Sequence, residues 1–295
     1  VTSLDLVVAT HPHEDHIGGL LTILREFPVR QVLDSGQVHT TSTFETFLSI
    51  IDQKNIPYAT AQRGQTVNLD PRLRIEVLSP PKQSLGSLNE NSIVLKVTYG
   101  SVSFLLMGDA GIAAEQNLLA SGYDLDSEIL KVGHHGSSSA SSASFLQAVR
   151  PAVSIIEVGA GNDYGHPSQR TLSSLQRVGS KVYRTDLNGN IVVTTDGQIY
   201  SVSTQKQAAG TSSAGPGSTI TASLTSSLLG TYTGVQGSTQ SGSSCMFVGS
   251  RKSDKYHYPS CQWAQKISPS NLICFSSSAD ARAHGYVPCR VCNPP

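Results

Sequence analysis

The order of apolar and polar positions predicts a mixed α/β domain over residues 1–204. Short apolar runs that are typical of buried strands fall at 4–9, 73–79, 92–99, 101–107, 127–133 and 152–159. Apolar residues spaced three and four apart predict helices at 18–27, 43–53, 113–121, 142–150 and 168–179. Three more strands, at 181–185, 189–195 and 197–203, are predicted to close the domain around turns at Asn188-Gly189 and Asp196-Gly197.

The composition changes sharply after this domain. Residues 205–244 contain 24 Ser, Thr or Gly out of 40, with one charge and neither Trp nor Phe. Such a stretch buries too little apolar area to offset the entropy of ordering, so we predict a flexible linker. The sequence is thus divided into a domain at 1–204, a linker at 205–244 and a small domain at 245–295. Because Ser/Thr-rich linkers are common outside the cell, this one favours an exported protein, located extracellularly or at the cell surface.

The net charge of zero hides a difference between the two predicted domains. Residues 1–204 hold 14 basic and 19 acidic residues, a balance of −5, whereas residues 245–295 hold 6 and 2, a balance of +4. A basic small domain fits either a polyanion-binding surface or an ordinary solvated one. No apolar run in the sequence approaches the ~20 residues that a bilayer-spanning helix needs.

The segment HPHEDH, residues 11–16, crowds metal-binding side chains directly after the first predicted strand. His11 and His13 are two residues apart, so an extended segment can aim both at one ion. Asp15 and His16 follow at once and can reach a second ion beside it. Neutral imidazole and carboxylate suit zinc, iron or manganese. Metal binding is therefore favoured over a plain polar loop, and Gly18-Gly19 is predicted to turn the chain tightly into the next helix.

Further ligand-type residues stand where other predicted strands end. Asp109 ends the apolar run of FLLMGDAG, where burial of an unpaired carboxylate is costly. His134 and His135 follow the strand of ILKVGHHGSSS, and His166 follows the strand of AVSIIEVG. Because single buried histidines are common in cores, it is the recurrence at strand ends that predicts a shared binuclear centre at one edge of a sheet.

The segments THPHEDHIGG, GDAG, HHGS and YGHP, in this order, resemble the metallo-β-lactamase superfamily. The last two narrow the resemblance to the hydrolase domain of ComEC-type competence (DNA-uptake) proteins, over residues 1–204. The resemblance implies a four-layer αββα sandwich with two divalent ions, zinc or manganese, at its edge. It also implies several strands upstream of the histidine loop, so that the fold would be truncated before Val1. The implied metal ligands are His11, His13, Asp15, His16, Asp109 and His134.

Within that set, the resemblance gives each residue a place. His11 and His13 would hold one ion, Asp15 and His16 the other, and Asp109 would bridge them, with a histidine of the 134/135 pair completing the second site. Many members carry one more histidine shortly before the bridging aspartate. Here no histidine lies between His39 and His134, and the chain reads NENSIVL. The first ion would then be weakly held, or completed by water or Asn91.

Two adjacent divalent ions lower the pKa of a shared water and create hydroxide at neutral pH. Asp15 and Asp109 are expected to orient that hydroxide, while His135 and His166 would donate to the oxyanion or the leaving group. The resemblance implies phosphodiesterase or nuclease activity on DNA. Two alternatives stay open: hydrolysis of another ester, such as a choline phosphodiester or a lactone, and a non-catalytic DNA-binding accessory in DNA uptake.

The small domain carries a second metal-type pattern. His257-x3-Cys261 is followed by Cys289-x2-Cys292, a spacing typical of a structural zinc site, with a disulfide-stapled domain as the alternative. A module of this size cannot build much core, so a bound zinc would contribute directly to its folding. Cys245 and Cys274 remain, either as a disulfide pair or as idle thiols.

The segments HYPSCQWAQKIS and FSSSADARAHGYVPCRVC resemble the zinc-binding domain of Ada-type DNA alkyl-repair proteins, over residues 246–295. The resemblance implies a small zinc-bound α+β module that contacts DNA. In that family the first metal-ligand cysteine is also the methyl acceptor. His257 stands in its place here, so methyl transfer is not expected.

Overall fold

The chain folds as two compact units, Val1–Ile220 and Thr221–Pro295. The computed structural model describes residues 1–207 and 246–294, without 252, 260, 262, 263, 265, 266, 268–270, 290, 291 and 293. The division between the units and most of the predicted linker fall outside the described residues, so the domain bounds 1–204, 205–244 and 245–295 stay predictions. Within the described part, none of the helices has the length and apolar character needed to cross a membrane.

Two sheets form the centre of the first unit. A parallel sheet of three strands contains β1 (Val7–Ala9), β2 (Val32–Asp34) and β3 (Tyr58–Thr60). A sheet of six strands follows in chain order: β4 (Leu73–Ser79), β5 (Val94–Tyr99), β6 (Val102–Leu106), β7 (Ile129–Lys131), β8 (Val153–Ile156) and β9 (Lys181–Arg184). β4, β5 and β6 pair antiparallel, and β6 to β9 pair parallel. Leu33, Ile75, Val77 and Leu95 fill the space between the two sheets.

Helices cover the outer face of each sheet. α1 (Glu14–Glu26) and α2 (Ser42–Gln53) pack Ile17, Leu24 and Phe47 against the three-stranded sheet. The other sheet is covered by α3 (Ile112–Ala120), α4 (Ala143–Val149) and α5 (Gln169–Arg177). Each fully buried side chain of this size contributes roughly 1.5–3 kcal/mol to folding. The layers therefore run αββα, and the predicted four-layer sandwich is confirmed.

The first helix begins earlier than the sequence pattern predicts. His13, with extended backbone, caps α1, so Asp15 and His16 lie in its first turn rather than in a loop. Acidic residues in a first turn are favoured by the helix dipole. The predicted tight turn at Gly18-Gly19 is therefore wrong, because both glycines lie inside the helix. The helical turn instead fixes the spacing of the Asp15 and His16 side chains.

The end of the first unit contains one confirmed and one incorrect turn. β10 (Ile191–Thr195) and β11 (Tyr200–Thr204) form the predicted hairpin around Asp196-Gly197. Asn188-Gly189 instead ends a one-turn helix, α6 (Thr185–Asn188), in which Asn188 Oδ1 accepts a hydrogen bond from Arg184 N at 2.9 Å. As a result, β9 and β10 belong to different sheets.

The second unit is a small α+β module. Its strands are β12 (Phe247–Ser250), β13 (Lys255–His257), β14 (Leu272–Phe275) and β15 (Val287–Pro288), in the sheet order β14-β12-β13-β15. One helix, α7 (Ser278–Ala283), packs on the sheet and is capped by the Ser277 side chain. Among the described residues of this unit, the buried cluster beneath the helix consists of Phe247, Tyr256, Phe275 and Ala281. So small a core agrees with the expectation that another element stabilises the module.

Candidate metal centres

Strand ends bring the candidate residues of the first unit to one edge of the sandwich. His11 follows β1, Asp109 follows β6, and His134 and His135 follow β7. Because β6, β7 and β8 run parallel as neighbours, their carboxyl ends meet at the same edge, where ligands of such sheets commonly bind. A cavity of about 780 Å³ lies there, and its walls include the side chains of His13, Asp15, His16, Asp109, His134, His135 and His166.

Asp109 lies at the centre of this arrangement and is almost fully buried. Its Oδ1 is 3.2 Å from His16 Nε2 and 3.5 Å from His135 Nε2. Its Oδ2 is 3.8 Å from His11 Nε2 and 3.9 Å from His134 Nε2. Each carboxylate oxygen therefore faces a different pair of imidazoles, which is the geometry expected of a bridging ligand.

One half of the centre forms a complete four-residue group. The ligand atoms of Asp15, His16, Asp109 and His135 all lie within 4.8 Å of one another. His135 Nε2 is 3.2 Å from His16 Nε2 and 3.4 Å from Asp15 Oδ2. The sequence predicts His134 as the ligand in this group and His135 as a proton donor. In the structure the ligand atom of His135 joins the group, and His134 lies on the Oδ2 side of Asp109.

The other half of the centre is less complete. His11 Nε2 and His13 Nδ1 lie 3.0 Å apart. Burial, with the neighbouring His16, lowers the pKa of His11 to about 3, so its imidazole is neutral and able to ligate. Asp109 Oδ2 approaches His11 Nε2 at 3.8 Å, but among the described residues no group of three or more ligand atoms within 4.8 Å of one another contains both histidines. This agrees with the missing histidine noted in the sequence.

Asn91 does not fill that gap. Its side chain accepts a hydrogen bond from Leu85 N and donates to Ser84 Oγ and Ser87 O, so it holds its own loop together. The structure places Asn89 on the cavity wall instead, with Nδ2 at 3.2 Å from His134 Nε2. The sequence does not predict this residue, because nothing in the pattern NEN indicates which of the two amide side chains faces the cavity.

The charge of the Asp109 carboxylate bears on whether a metal cation fits between the candidate ligands. Burial raises the pKa of Asp109, but the close approach of His16, together with His135 and His11, outweighs it and holds the pKa below its usual range. Asp109 Oδ1 has no hydrogen-bond partner within the part of the chain that the structure describes. A buried carboxylate oxygen in this state is costly. The imidazoles around it complete a donor set that fits divalent cations.

Neighbouring groups orient the imidazoles. His135 Nδ1 donates to Glu157 O at 2.7 Å, which leaves Nε2 free to face the four-residue group. Ser92 Oγ lies 3.3 Å from His11 Nδ1 and also accepts a hydrogen bond from Asp109 N at 3.1 Å. Ser92 therefore couples the positions of the first histidine and the central carboxylate.

The turn Gly133–Gly136 explains the exchange of the two histidines. His134 and His135 both adopt left-handed backbone, with φ of 47° and 50°, which costs roughly 1–3 kcal/mol per residue. A Cβ at Gly133 would lie 2.4 Å from Ala110 O, and one at Gly136 would lie 2.6 Å from Pro167 Cβ. Tight packing of both glycines holds the histidines in this conformation.

We expect Gly133→Ala to displace the turn and destabilise the first unit by about 1–3 kcal/mol, because the added carbon overlaps a backbone carbonyl. The thermal unfolding temperature and the metal content of the purified variant would both be lower than those of wild type. Gly19→Ala is the matched control, since a Cβ there meets nothing within 4 Å and alanine favours the helix. Equal metal content in Gly133→Ala and wild type would contradict this account of the turn.

His166 lies beside the Oδ2 half of the centre. Its ring centroid is 5.7 Å from that of His134, with the planes at 73°. Asn162 Oδ1 accepts a hydrogen bond from His166 N at 3.0 Å, which ties the loop to itself. The predicted proton donor is therefore inside the cavity and next to the candidate ligands.

The second unit contains the other predicted site. The ligand atoms of His257, Cys261, Cys289 and Cys292 all lie within 4.8 Å of one another. None of these three cysteines is in a disulfide, so the disulfide-stapled alternative does not apply to them. Burial is the main cause that raises the pKa of Cys292, to about 11, and a bound cation is what would draw these thiols into the thiolate form. One imidazole and three sulfurs fit tetrahedral zinc.

The remaining cysteine prediction is only partly within the described residues. Cys274 is disulfide-bonded. Cys245 lies outside the described residues, so its pairing with Cys274 stays a prediction.

The first unit is similar in sequence to two competence-related proteins. ComE operon protein 3 of Bacillus subtilis (strain 168) is 32% identical over 191 residues, which cover 65% of this chain and 24% of that protein. Competence protein ComA of Neisseria gonorrhoeae is 30% identical over 190 residues, which cover 64% of this chain and 25% of that protein. The chain thus spans about a quarter of the length of these relatives.

Solved structures give weaker likenesses. CmlA, a diiron beta-hydroxylase from Streptomyces venezuelae, has a TM-score of 0.43 and 15% identity over 62% of this chain and 44% of that one. The metallo-beta-lactamase fold protein YhfI from Bacillus subtilis has a TM-score of 0.39 and 13% identity over 61% of this chain and 74% of that one.

Two families match the chain. Residues 232–295 match the metal binding domain of Ada, which agrees with the His/Cys group and assigns a structural zinc to the second unit. Residues 2–159, more than half of the chain, match the metallo-beta-lactamase superfamily, whose fold binds divalent metal ions. With the αββα layers and the edge of histidines and aspartates already described, the chain belongs to the metallo-beta-lactamase superfamily.

Proposed function

We propose that the first unit is a binuclear metal-dependent phosphodiesterase that cleaves DNA. The observation that carries the proposal is the position of Asp109, whose two oxygens face separate pairs of imidazoles at the wall of an open cavity. The choice of DNA is supported by the names of the relatives, a competence protein and a competence operon protein.

Each candidate ligand is assigned to one of two ions according to which carboxylate oxygen of Asp109 it faces. Asp15, His16 and His135 would hold one ion with Oδ1. His11 and His13 would hold the other with Oδ2, and His134, whose Nε2 is 3.9 Å from Oδ2, would be a further ligand of that ion. Bound divalent cations would supply a water of lowered pKa and neutralise charge on a phosphate.

The chain's own side chains have distinct roles in this proposal. Asp109 is a buried carboxylate and fixes the centre, whereas the Asp15 side chain is 63% exposed and can accept a proton from the attacking water. His166, beside His134 in the cavity, donates a proton to the departing oxygen. His135 acts as a ligand, and this replaces the proton-donating role expected from the sequence.

The second unit would add a zinc-held contact for DNA. Its excess of basic residues favours binding to a polyanion. Methyl transfer is not proposed, because position 257 is a histidine and not a cysteine. We also propose a location outside the cell or at its surface. The competence relatives and the disulfide at Cys274 support this location, since disulfides persist in oxidising compartments.

The test is a substrate panel for the full chain loaded with manganese: plasmid DNA, bis(p-nitrophenyl) phosphate and a lactone. We expect hydrolysis of both phosphodiesters, and a loss of more than about 100-fold in His135→Ala, since even partners of metal ligands cost 10–100-fold. His284→Ala is the control, because that ring lies in the second unit and hydrogen-bonds to Asp280 O.

The panel also separates the alternatives. Turnover of the lactone alone would replace the DNA substrate by another ester. Binding of plasmid DNA without any cleavage would show the non-catalytic accessory, and the incomplete ligand set around His11 and His13 is the observation that favours it.

A further inference from the structure

Tyr164 presents an open aromatic face at the wall of the catalytic cavity. The residue is 79% exposed, although it lines the same cavity as the candidate metal ligands. Exposure of a large ring beside a reaction site leaves apolar area that a ligand can cover.

The loop that carries Tyr164 is held by its own hydrogen bonds. Asn162 Nδ2 donates to Gly159 O at 3.0 Å and to His166 O at 2.7 Å, and its Oδ1 accepts from His166 N at 3.0 Å. The side chain of Asn162 therefore closes the loop on both sides of Tyr164. The ring is positioned in advance, so little conformational entropy is lost when a ligand stacks on it.

The ring is also connected to the centre by packed rings. Tyr164 stacks on His166 with centroids 5.8 Å apart and planes at 22°. His166 in turn meets the edge of His134 at 5.7 Å. One face of Tyr164 is thus backed by an imidazole, and a flat group on its other face would lie two rings away from a candidate ligand of the metal.

The charges around the cavity limit the ways in which a polyanion is held. Among the described residues that line it, none is Lys or Arg, whereas Glu14, Asp15, Asp109 and Glu157 are acidic. Charge attraction for a phosphate would therefore come mainly from bound cations. Further affinity has to come from contacts that do not depend on phosphate charge, and stacking on Tyr164 is such a contact.

We infer that Tyr164 binds an unpaired nucleobase of the substrate, beside the phosphodiester that is cleaved. The inference rests on the proposed function and narrows it to nucleotide chains whose bases are free to stack. Every base has a flat face, so such a platform tolerates any sequence. A base inside a duplex is already stacked on both sides, so single strands are the favoured substrate class.

The experiment compares two substrates with the same leaving group, thymidine 5′-p-nitrophenyl phosphate and methyl p-nitrophenyl phosphate, on the manganese-loaded full chain. We expect wild type to prefer the nucleoside ester in kcat/KM, and Tyr164→Ala to lose roughly 5- to 150-fold of that preference, the span of one base–aromatic stack. Tyr164→Phe keeps the ring and should keep the preference. Tyr123→Ala is the control, since Tyr123 is partly exposed outside this cavity.

Each outcome points to one claim. Metal content equal to wild type in Tyr164→Ala, with the preference lost, supports the platform. Hydrolysis of both esters with a preference that Tyr164→Ala leaves unchanged overturns the platform and leaves the phosphodiesterase standing. No hydrolysis of either ester by wild type overturns the proposed function itself. Faster cleavage of a duplex than of the same single-stranded oligonucleotide also overturns the platform.

Discussion

Asp109→Ala is expected to abolish hydrolysis of bis(p-nitrophenyl) phosphate and to remove both ions of the first unit. The physical reason is that one carboxylate serves both halves of the centre, with Oδ1 toward His16 and Oδ2 toward His11. Loss of more than about 100-fold in kcat/KM is the minimum, since this residue would contact the ions directly. Metal content is measured by elemental analysis on the same preparations.

The control for this variant is Asp52→Ala, which removes an exposed carboxylate from α2 without touching the cavity. Near-native turnover in Asp109→Ala would exclude the central role of that carboxylate. Lost turnover with a full metal complement would show that Asp109 acts on the substrate rather than as the bridge between ions.

Removal of zinc is expected to unfold the second unit while the first stays folded. Structural zinc contributes an apparent ~10–16 kcal/mol in modules of this type, and the buried cluster under α7 has four side chains among the residues that the structure describes. Cys289→Ser, or a chelator with wild type, should abolish amide protection over residues 246–294 in hydrogen exchange. Arg282→Ala, which changes an exposed side chain of α7, is the control.

Hydrogen exchange measures amide protection in both units in the same experiment. Persistent protection of β12 and β14 in Cys289→Ser would show that the sheet does not depend on the metal. Simultaneous loss of protection in β6 and β7 would show that the two units unfold together, contrary to separate cores.

Much of the site followed from where strands end. Asp109 and the two histidines at 134 and 135 were predicted at one sheet edge because parallel neighbours share their carboxyl ends, and the structure brings them together. The αββα layers followed from the family resemblance, since strand and helix periodicity alone does not state how the layers stack.

The parts that failed depend on backbone conformation that periodicity does not encode. β2 and β3 have three residues each and, unlike the equally short β1 and β7, do not stand in a longer apolar run, so the pattern did not predict them. The exchange of His134 and His135 follows from left-handed backbone at both residues, which is set by packing of the flanking glycines. The choice of Asn89 over Asn91 for the cavity likewise depends on loop hydrogen bonds.

The most direct test of the account is the metal content of the full-length wild-type chain after equilibration with manganese and removal of unbound ions. The account predicts two manganese ions, held around Asp109, and one zinc ion, held by the His257 group. A chain that carries a single zinc ion and no further metal would contradict a binuclear centre at the edge of the sandwich.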